Sequence, residues 1–411
     1  MEAISHLRFN RQAWRAAAES VTRPVAAPRA DERLRVLRVA HASLTPALRA
    51  RERALTLNHP EIDLEVVTTS SWQEAGVEVA AQADDLFPVT PARALLSRHI
   101  QLFAYDPRPL RAALLRHRPH LIDLNHEPYS VAGAEVLWLC RRYAPPAKIV
   151  MQTAQNIYKN YPPPFSWFER RAFREVDAAY VCSLTVRDTL RAKGFAKPVG
   201  LIPFGVDLAE FTPRAARAET PVIGFVGRML PGKGLPVLAA ALQRIAGEDW
   251  RAFIVGDGPE RDAAAQQLAA AGLSARVTMT GALAYERMPE ILRQMDVLVV
   301  PSQTTKRLRE QFGRVIVEAM ASRVCVVGSD SGAIPEVVGD AGLIFPEGDA
   351  DALAAALRRV IRNAQERERL AVAGRRRVER HYSWERVAEQ TADFYRLQMG
   401  VLHPAPPNGE R

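Results

Sequence analysis

Short apolar runs alternate with Ala/Leu/Arg-rich helical segments along most of this chain, and the alternation stops once and then restarts. A strand, a helix and a second strand in succession pair the two strands in parallel, and a parallel sheet must be covered on both faces. The first series of expected strands is 34–41, 62–68, 121–125, 148–154, 178–183 and 198–204. A turn at Gly205-Val206-Asp207 and a Pro/Ala/Arg linker from Phe211 to Pro221 interrupt it. The second series is 221–227, 252–256, 277–281, 297–302, 324–329 and 342–345, with Arg-rich helices expected over 349–378 and about 383–398. The 411 residues exceed one core. They divide into a leader over 1–33, helical around 8–19, a first α/β domain over 34–205, a linker over 206–220, a second α/β domain over 221–382, and a final helix and tail over 383–411. Two such halves predict a cleft with ligands at the C-terminal ends of strands.

No apolar run reaches the 18 or so residues of a membrane span, and the N-terminus has no apolar signal region. Cys140, Cys182 and Cys325 are scattered in apolar surroundings, which reads as buried free thiols in a reducing cytosol rather than a metal cluster. The net charge is +9, and only six of the 55 basic residues are lysines. Such a surface is either generically cationic or drawn to anionic partners. No aromatic-interleaved basic motif or zinc-finger spacing supports nucleic acid.

The densest chemistry lies in Glu310-Gln311-Phe312-Gly313-Arg314-Val315-Ile316-Val317-Glu318. On one continuous helix the two acids would stand roughly 80° and about 12 Å apart. Gly313 predicts instead that Glu310 precedes the helix and Glu318 lies one to two turns inside it. The N–H groups of Phe312, Gly313 and Arg314 then sit between the acids, at a helix N-terminus suited to an anion. That layout fits a nucleotide sugar, while two solvated glutamates on an amphipathic helix would give the same spacing.

Gly227-Arg228-Met229-Leu230-Pro231-Gly232-Lys233-Gly234 follows the first strand of the second half. Its glycines let the backbone approach an oxyanion that Arg228 and Lys233 can close on, and it is not a P-loop. Gly256-Asp257-Gly258 ends the next strand and can pass beneath a base or sugar, or serve only as a turn. Ser329 to Glu336 is another strand-end loop suited to phosphate. In the first half His126-Glu127-Pro128 follows a strand end, where His126 can meet a sugar hydroxyl, and Asn156 and Tyr158 follow the next strand. No Ser-His-Asp order, HExxH or strand followed by GxGxxG is present.

Taken together, EQFGRVIVEAMAS, GRMLPGKG, IVGDGP, MDVLVVPS, SGAIPEVVGDAGLIFPEGD, IPFGVD and HEP resemble the retaining family-4 glycosyltransferases of GT-B fold, from about Leu34 to Leu397. The resemblance implies two facing Rossmann-like doubly wound domains, the last helix crossing back to the first, with a nucleotide-diphosphate sugar held mostly by the second. It implies that Arg228 and Lys233 neutralise the diphosphate, Glu318 holds the ribose, and Glu310 lies at the donor sugar hydroxyls. Gly227 and the Phe312-Gly313-Arg314 backbone then belong to the donor site, as do Gly256, Asp257 and Gly258, and His126 lies near the reacting centre. It implies retention of anomeric configuration, commonly by a front-face route, with no cofactor and no metal required.

The chain departs from the family in two places. The loop after its first strand reads Ala42-Ser43-Leu44-Thr45-Pro46 rather than glycine-rich, which puts acceptor contacts there in doubt. Arg323-Val324-Cys325 stands where glycine and proline are usual, so that turn is expected to differ if its φ must be positive. The function expected is hexose transfer from a UDP- or GDP-sugar to a saccharide or lipid-linked acceptor, in the cytoplasm or at the inner face of the membrane. Arg93, Arg98, Arg108, Arg111 and Arg116 can rest on anionic lipid or be a solvated helix face. The rival functions are a GT-B sugar-nucleotide epimerase and a non-catalytic sugar-nucleotide or lipid-binding protein.

Overall fold

A computed structural model describes residues 32–74, 77–96, 99–214 and 220–400. The expected leader helix at 8–19, Arg98 and residues 215–219 of the expected linker lie outside them. Strands β1 (Leu34–Ala40), β2 (Ile62–Thr69), β3 (Ser71–Glu74), β4 (Val77–Ala80), β5 (Val89–Ala92), β6 (Ala94–Leu95), β7 (Ala104–Tyr105), β8 (Leu121–Asn125), β9 (Lys148–Thr153), β10 (Ala178–Val181) and β11 (Val199–Leu201) precede residue 205. Seven of them form a parallel sheet in the order β11-β10-β9-β8-β1-β2-β5, while β3–β4 and β6–β7 are small antiparallel hairpins. After residue 220, β12 (Val222–Val226), β13 (Arg251–Val255), β14 (Val277–Met279), β15 (Val297–Val300), β16 (Cys325–Ser329) and β17 (Gly342–Phe345) form a parallel sheet in the order β14-β13-β12-β15-β16-β17.

Every residue of β10, β15 and β16 is buried, as strands covered on both faces must be. In the second unit Ile223, Phe225, Ile254, Val297, Val299 and Val327 from the sheet meet Leu238, Leu242 and Leu357 from the helices in one core. Each such side chain contributes about 1.5–3 kcal/mol by leaving water. The contacts separate into two units, and the first takes back residues Val387 onward from the end of the chain. Among the described residues no helix is long and apolar enough to cross a membrane.

The first sheet carries a buried ionic cluster. Asp123, at the centre of β8, accepts from Arg38 Nη1 at 2.5 Å and from Arg51 Nη2 at 3.1 Å. Tyr180 and Tyr395 donate to the same carboxylate at 2.9 and 2.6 Å, the latter from the helix Trp384–Gln398. Glu52 pairs with both arginines. Burial alone would raise the Asp123 carboxyl, but the two guanidinium charges and two hydroxyls outweigh it and hold it below the ordinary carboxylate range.

Two expectations are corrected. The helix expected over 349–378 is two helices, Ala350–Arg362 and Ala364–His381. Asn363 leaves the helical region at φ −116° and ψ 88°, and its side chain accepts from the Glu366 N–H, capping the second helix. The turn at Arg323 keeps the conformation a glycine would favour, since Arg323 takes φ +55°. The steric cost is about 1–2 kcal/mol, and Arg323 reaches Glu368 in an ion pair.

Candidate active site

In unit-local order the second sheet reads 3-2-1-4-5-6, so its connections diverge between β12 and β15. Loops leaving the C-terminal ends of these two strands run in opposite directions, and the crevice between them is where doubly wound sheets hold ligands. A pocket of about 290 Å³ opens there. Its walls are the β12 end (Phe225 to Gly227), the β15 end (Val299 to Ser302), Lys233, Tyr285, and Glu310, Gly313, Arg314, Val315 and Glu318.

Glu310 lies ahead of the helix Arg314–Ala321, and Glu318 lies inside it. Gly313 is the helix N-cap at φ +80°, with no side-chain cap on the first turn. The Arg314 and Val315 N–H groups begin a helix whose positive end faces the pocket lining. Glu310 Oε2 accepts from Lys233 Nζ at 2.7 Å and from Ser302 Oγ at 3.1 Å. Gly332 fixes the backbone of Glu310. At φ +59°, a Cβ there would stand 2.1 Å from the Glu310 carbonyl oxygen, which also accepts from the Ala333 N–H at 3.0 Å. The loop read as a phosphate site in the sequence therefore supports Glu310.

Glu318 is 5% exposed. Burial raises its carboxyl above the ordinary range, opposed by the Arg314 charge and by a hydrogen bond from the Tyr285 hydroxyl at 2.9 Å.

The structure thus brings Gly227, Lys233, Glu310, Gly313, Arg314 and Glu318 to one pocket. Arg228 is exposed on the loop leaving β12 and is not among the residues that line it. Phe312 is 2% exposed and packs edge-on against Phe204 and Tyr382, so its side chain is core while its backbone leads into Gly313. Gly256, Asp257 and Gly258 buttress the β12 loop from behind. A Cβ on Gly256 would stand 1.9 Å from the Gly227 carbonyl, and the Asp257 carbonyl accepts from the Met229 N–H at 2.8 Å. Ser302 and Tyr285 are site residues that sequence reasoning missed. Ser302 was legible as the last residue of the VVPS strand end. Tyr285 carries no periodic or glycine signal.

His126 belongs to the first unit, directly after β8. The residue is 4% exposed, with Nε2 2.9 Å from the Tyr105 hydroxyl. Burial drives this imidazole well below the ordinary histidine value, so it is neutral at physiological pH. The ring of His41, directly after β1, lies 5.4 Å away, its value pushed down to about 4 by burial. Strands β1 and β8 flank the switch point of the first sheet, so the two histidines occupy the position there that the pocket occupies in the second unit. The loop after β1 is fastened by apolar packing, with Leu44 fully buried and its carbonyl accepting from Arg49 and from the Gln82 N–H, both at 2.8 Å. Glu127 is half-buried and held by Thr153 Oγ1 at 2.5 Å and the Ala154 N–H at 2.9 Å.

Among the described residues no group of three or more His, Cys, Asp or Glu side chains is placed to hold a metal ion. Cys140, Cys182 and Cys325 are all buried.

Residues 209–377 match the family model of the glycosyl transferases group 1, and residues 47–210 match that of Glycosyltransferase Family 4. The MMP alpha-(1->4)-mannosyltransferase of Mycolicibacterium hassiacum is 34% identical over 200 residues, 47% of each chain. The D-inositol 3-phosphate glycosyltransferase of Nocardia farcinica is 31% identical over 338 residues, 72% of each chain. The chain spans only about half to two thirds of the length of several relatives it matches, the mannosyltransferase included. In fold it is similar to the sucrose-phosphate synthase of Thermosynechococcus elongatus, with a TM-score of 0.65 at 22% identity over 90% of this chain and 100% of that one. The chain therefore belongs to glycosyltransferase family 4, and its two Rossmann-like units are those of the GT-B fold.

Proposed function

We propose that this protein is a retaining glycosyltransferase that moves a hexose-type sugar from a UDP- or GDP-sugar to an acceptor hydroxyl in polysaccharide or glycolipid assembly. The observation that carries the reading is the pair of carboxylates around one helix N-terminus, with Lys233 and Ser302 on Glu310 and Tyr285 on Glu318. A nucleotide sugar presents groups in the same sequence: ribose hydroxyls, a diphosphate and sugar hydroxyls. Glu318 takes the ribose, the helix N–H groups take the diphosphate, and Glu310 takes the sugar. As the bond from the sugar to the diphosphate breaks, negative charge grows on the leaving oxygen. Lys233, the helix N-terminus and Arg228 from its exposed loop meet that charge, with no metal assigned. No side chain is given the role of nucleophile, and the rate comes from orientation and leaving-group stabilisation. The relatives' names, a mannosyltransferase and an inositol phosphate glycosyltransferase, support sugar transfer and leave this chain's sugar open.

A thermal-shift panel of UDP, GDP, ADP and their common sugar conjugates, with NAD as control, tests the donor. A ligand held only by the folded state stabilises it by about 2.7 kcal/mol at a hundred times its Kd. One nucleotide family is expected to raise Tm selectively. A flat panel, or an equal rise with NAD, sinks the reading.

Contact with anionic lipid at the cytoplasmic face is a separate element of the proposal. At the tip of the β6–β7 hairpin Leu96 is 83% exposed and Ile100 51%, and Arg93 stands at its base. Arg108 and Arg116 contribute less charge than their sequence suggested, because Asp106 and Glu65 pair with them, and Arg111 lies against the Tyr143 ring. Flotation with anionic vesicles at low salt is expected to carry the protein, and high salt to release it. A protein that stays at the bottom of the gradient removes the lipid element and leaves the transferase reading intact.

A further inference from the structure

Tyr285 opens the short turn Tyr285–Arg287, an element separate from the helix that carries Glu318. Tyr285 lines the pocket and is 45% exposed, while its hydroxyl reaches the buried Glu318. That hydroxyl donates to Glu318 Oε1 at 2.9 Å and accepts from Arg314 Nη2 at 3.0 Å. The Arg314 guanidinium carbon lies 5.3 Å from the centre of the same ring, and its nitrogen stands 3.7 Å from Glu318 Oε1. A phenol has one proton to give. Since Arg314 can only donate, the proton goes to the carboxylate, and the orientation of the hydroxyl is set. Burial and the neighbouring Glu318 raise the phenol well above its ordinary value, so it keeps that proton.

Glu318 comes from the second turn of its helix, with rotatable bonds between backbone and carboxylate. A 5% exposed carboxylate with one oxygen tied from across the pocket is fixed in rotation, and about four acceptor positions serve its two oxygens. A fixed carboxylate plane suits two hydroxyls on adjacent carbons far better than one hydroxyl alone.

We propose that Tyr285, braced by Arg314, is the positioning residue that fixes the Glu318 carboxylate for the vicinal diol of a ribose, so that this pocket selects ribonucleotides over 2′-deoxyribonucleotides. The proposal rests on the donor reading above, in which Glu318 takes the ribose. Removing the hydroxyl frees the carboxylate to rotate, and the second hydroxyl of the diol then contributes little.

The test is calorimetric titration of the full chain and of Tyr285→Phe with UDP, GDP and ADP, each beside its 2′-deoxy counterpart. Phenylalanine keeps the ring, its volume and the stacking with Arg314, and thermal melting of the variant verifies its fold. Wild type is expected to bind its preferred ribonucleotide about tenfold more tightly than the deoxy form, the scale of one hydrogen bond to a charged group. In Tyr285→Phe the ribonucleotide weakens toward the deoxy form, whose own affinity barely moves. In Glu318→Gln discrimination disappears. An unchanged ratio in Tyr285→Phe, or an equal loss for both sugars, overturns the positioning role while wild-type binding upholds the donor reading. Wild type that binds none of the three ribonucleotides overturns the donor reading itself, and this proposal with it.

Discussion

Glu310→Gln is expected to slow sugar transfer by at least about 100-fold, the scale of losing one preorganised electrostatic contact at a reacting centre, while nucleotide affinity stays within about threefold. The reason lies in what Oε2 does. It accepts from Lys233 at 2.7 Å and from Ser302 at 3.1 Å, so one oxygen sets the places of a cation and a hydroxyl together. A carboxamide has one acceptor oxygen and one donor nitrogen. If the nitrogen takes the place of Oε2, it confronts two donors. If the oxygen does, the charge that holds Lys233 is gone. Either way the cation assigned to the leaving diphosphate shifts, while Glu318 and the helix N-terminus, to which the proposal assigns the rest of the nucleotide, are untouched. Separate determination of kcat with the matching sugar nucleotide and of Kd for the free nucleotide checks this. Turnover at the wild-type rate would remove Glu310 from the chemistry.

Asp123→Ala is expected to lower stability by about 3–5 kcal/mol, because breaking a buried pair leaves charge behind without a partner. Two guanidinium groups and two tyrosine hydroxyls converge on this carboxylate, which is 0% exposed. Glu52 cannot compensate both arginines alone. Because the folded carboxyl lies below its unfolded value, its contribution is complete above about pH 4 and is lost only as pH falls through the lower, folded value. Urea melts at pH 7 should therefore separate the two proteins widely, and the gap should narrow in strong acid. A loss under about 1 kcal/mol at pH 7 would mean the cluster is far better hydrated than its burial indicates.

Much of the frame was legible because strands buried on both faces are nearly continuous apolar runs. The runs at 62–68, 121–125 and 342–345 all lie within observed strands. Reading failed where a strand carries little of that signal. Val89–Ala92 contains Pro91 and forms the outer edge of its sheet, the place where a sheet tolerates proline. The paired acids were legible since Gly313 marks where the helix begins, and the Gly227 to Lys233 loop since it combines glycines with two cations. Tyr285 was not, because it meets Glu318 from 33 residues away through a turn of three residues. His126 was readable as a strand-end residue, but its burial against Tyr105 depends on a hairpin that the apolar pattern does not announce. Nothing in the run around Arg38 marks it as half of an ion pair, because its partner Asp123 lies 85 residues on.

The hydroxyl of Tyr395 meets Asp123 across 272 residues of chain. At synthesis rates of about 5–20 residues per second, roughly 15–55 s separate the making of the two. From the making of Tyr180 onward, the nascent first unit has its central carboxylate, two arginines and one of the two tyrosines, and the apolar residues that Val387, Phe394 and their helix later cover stay open. The half of the protein made first is thus the last to be finished, and its exposure to proteases and chaperones is set by how long the ribosome takes to translate the half that follows.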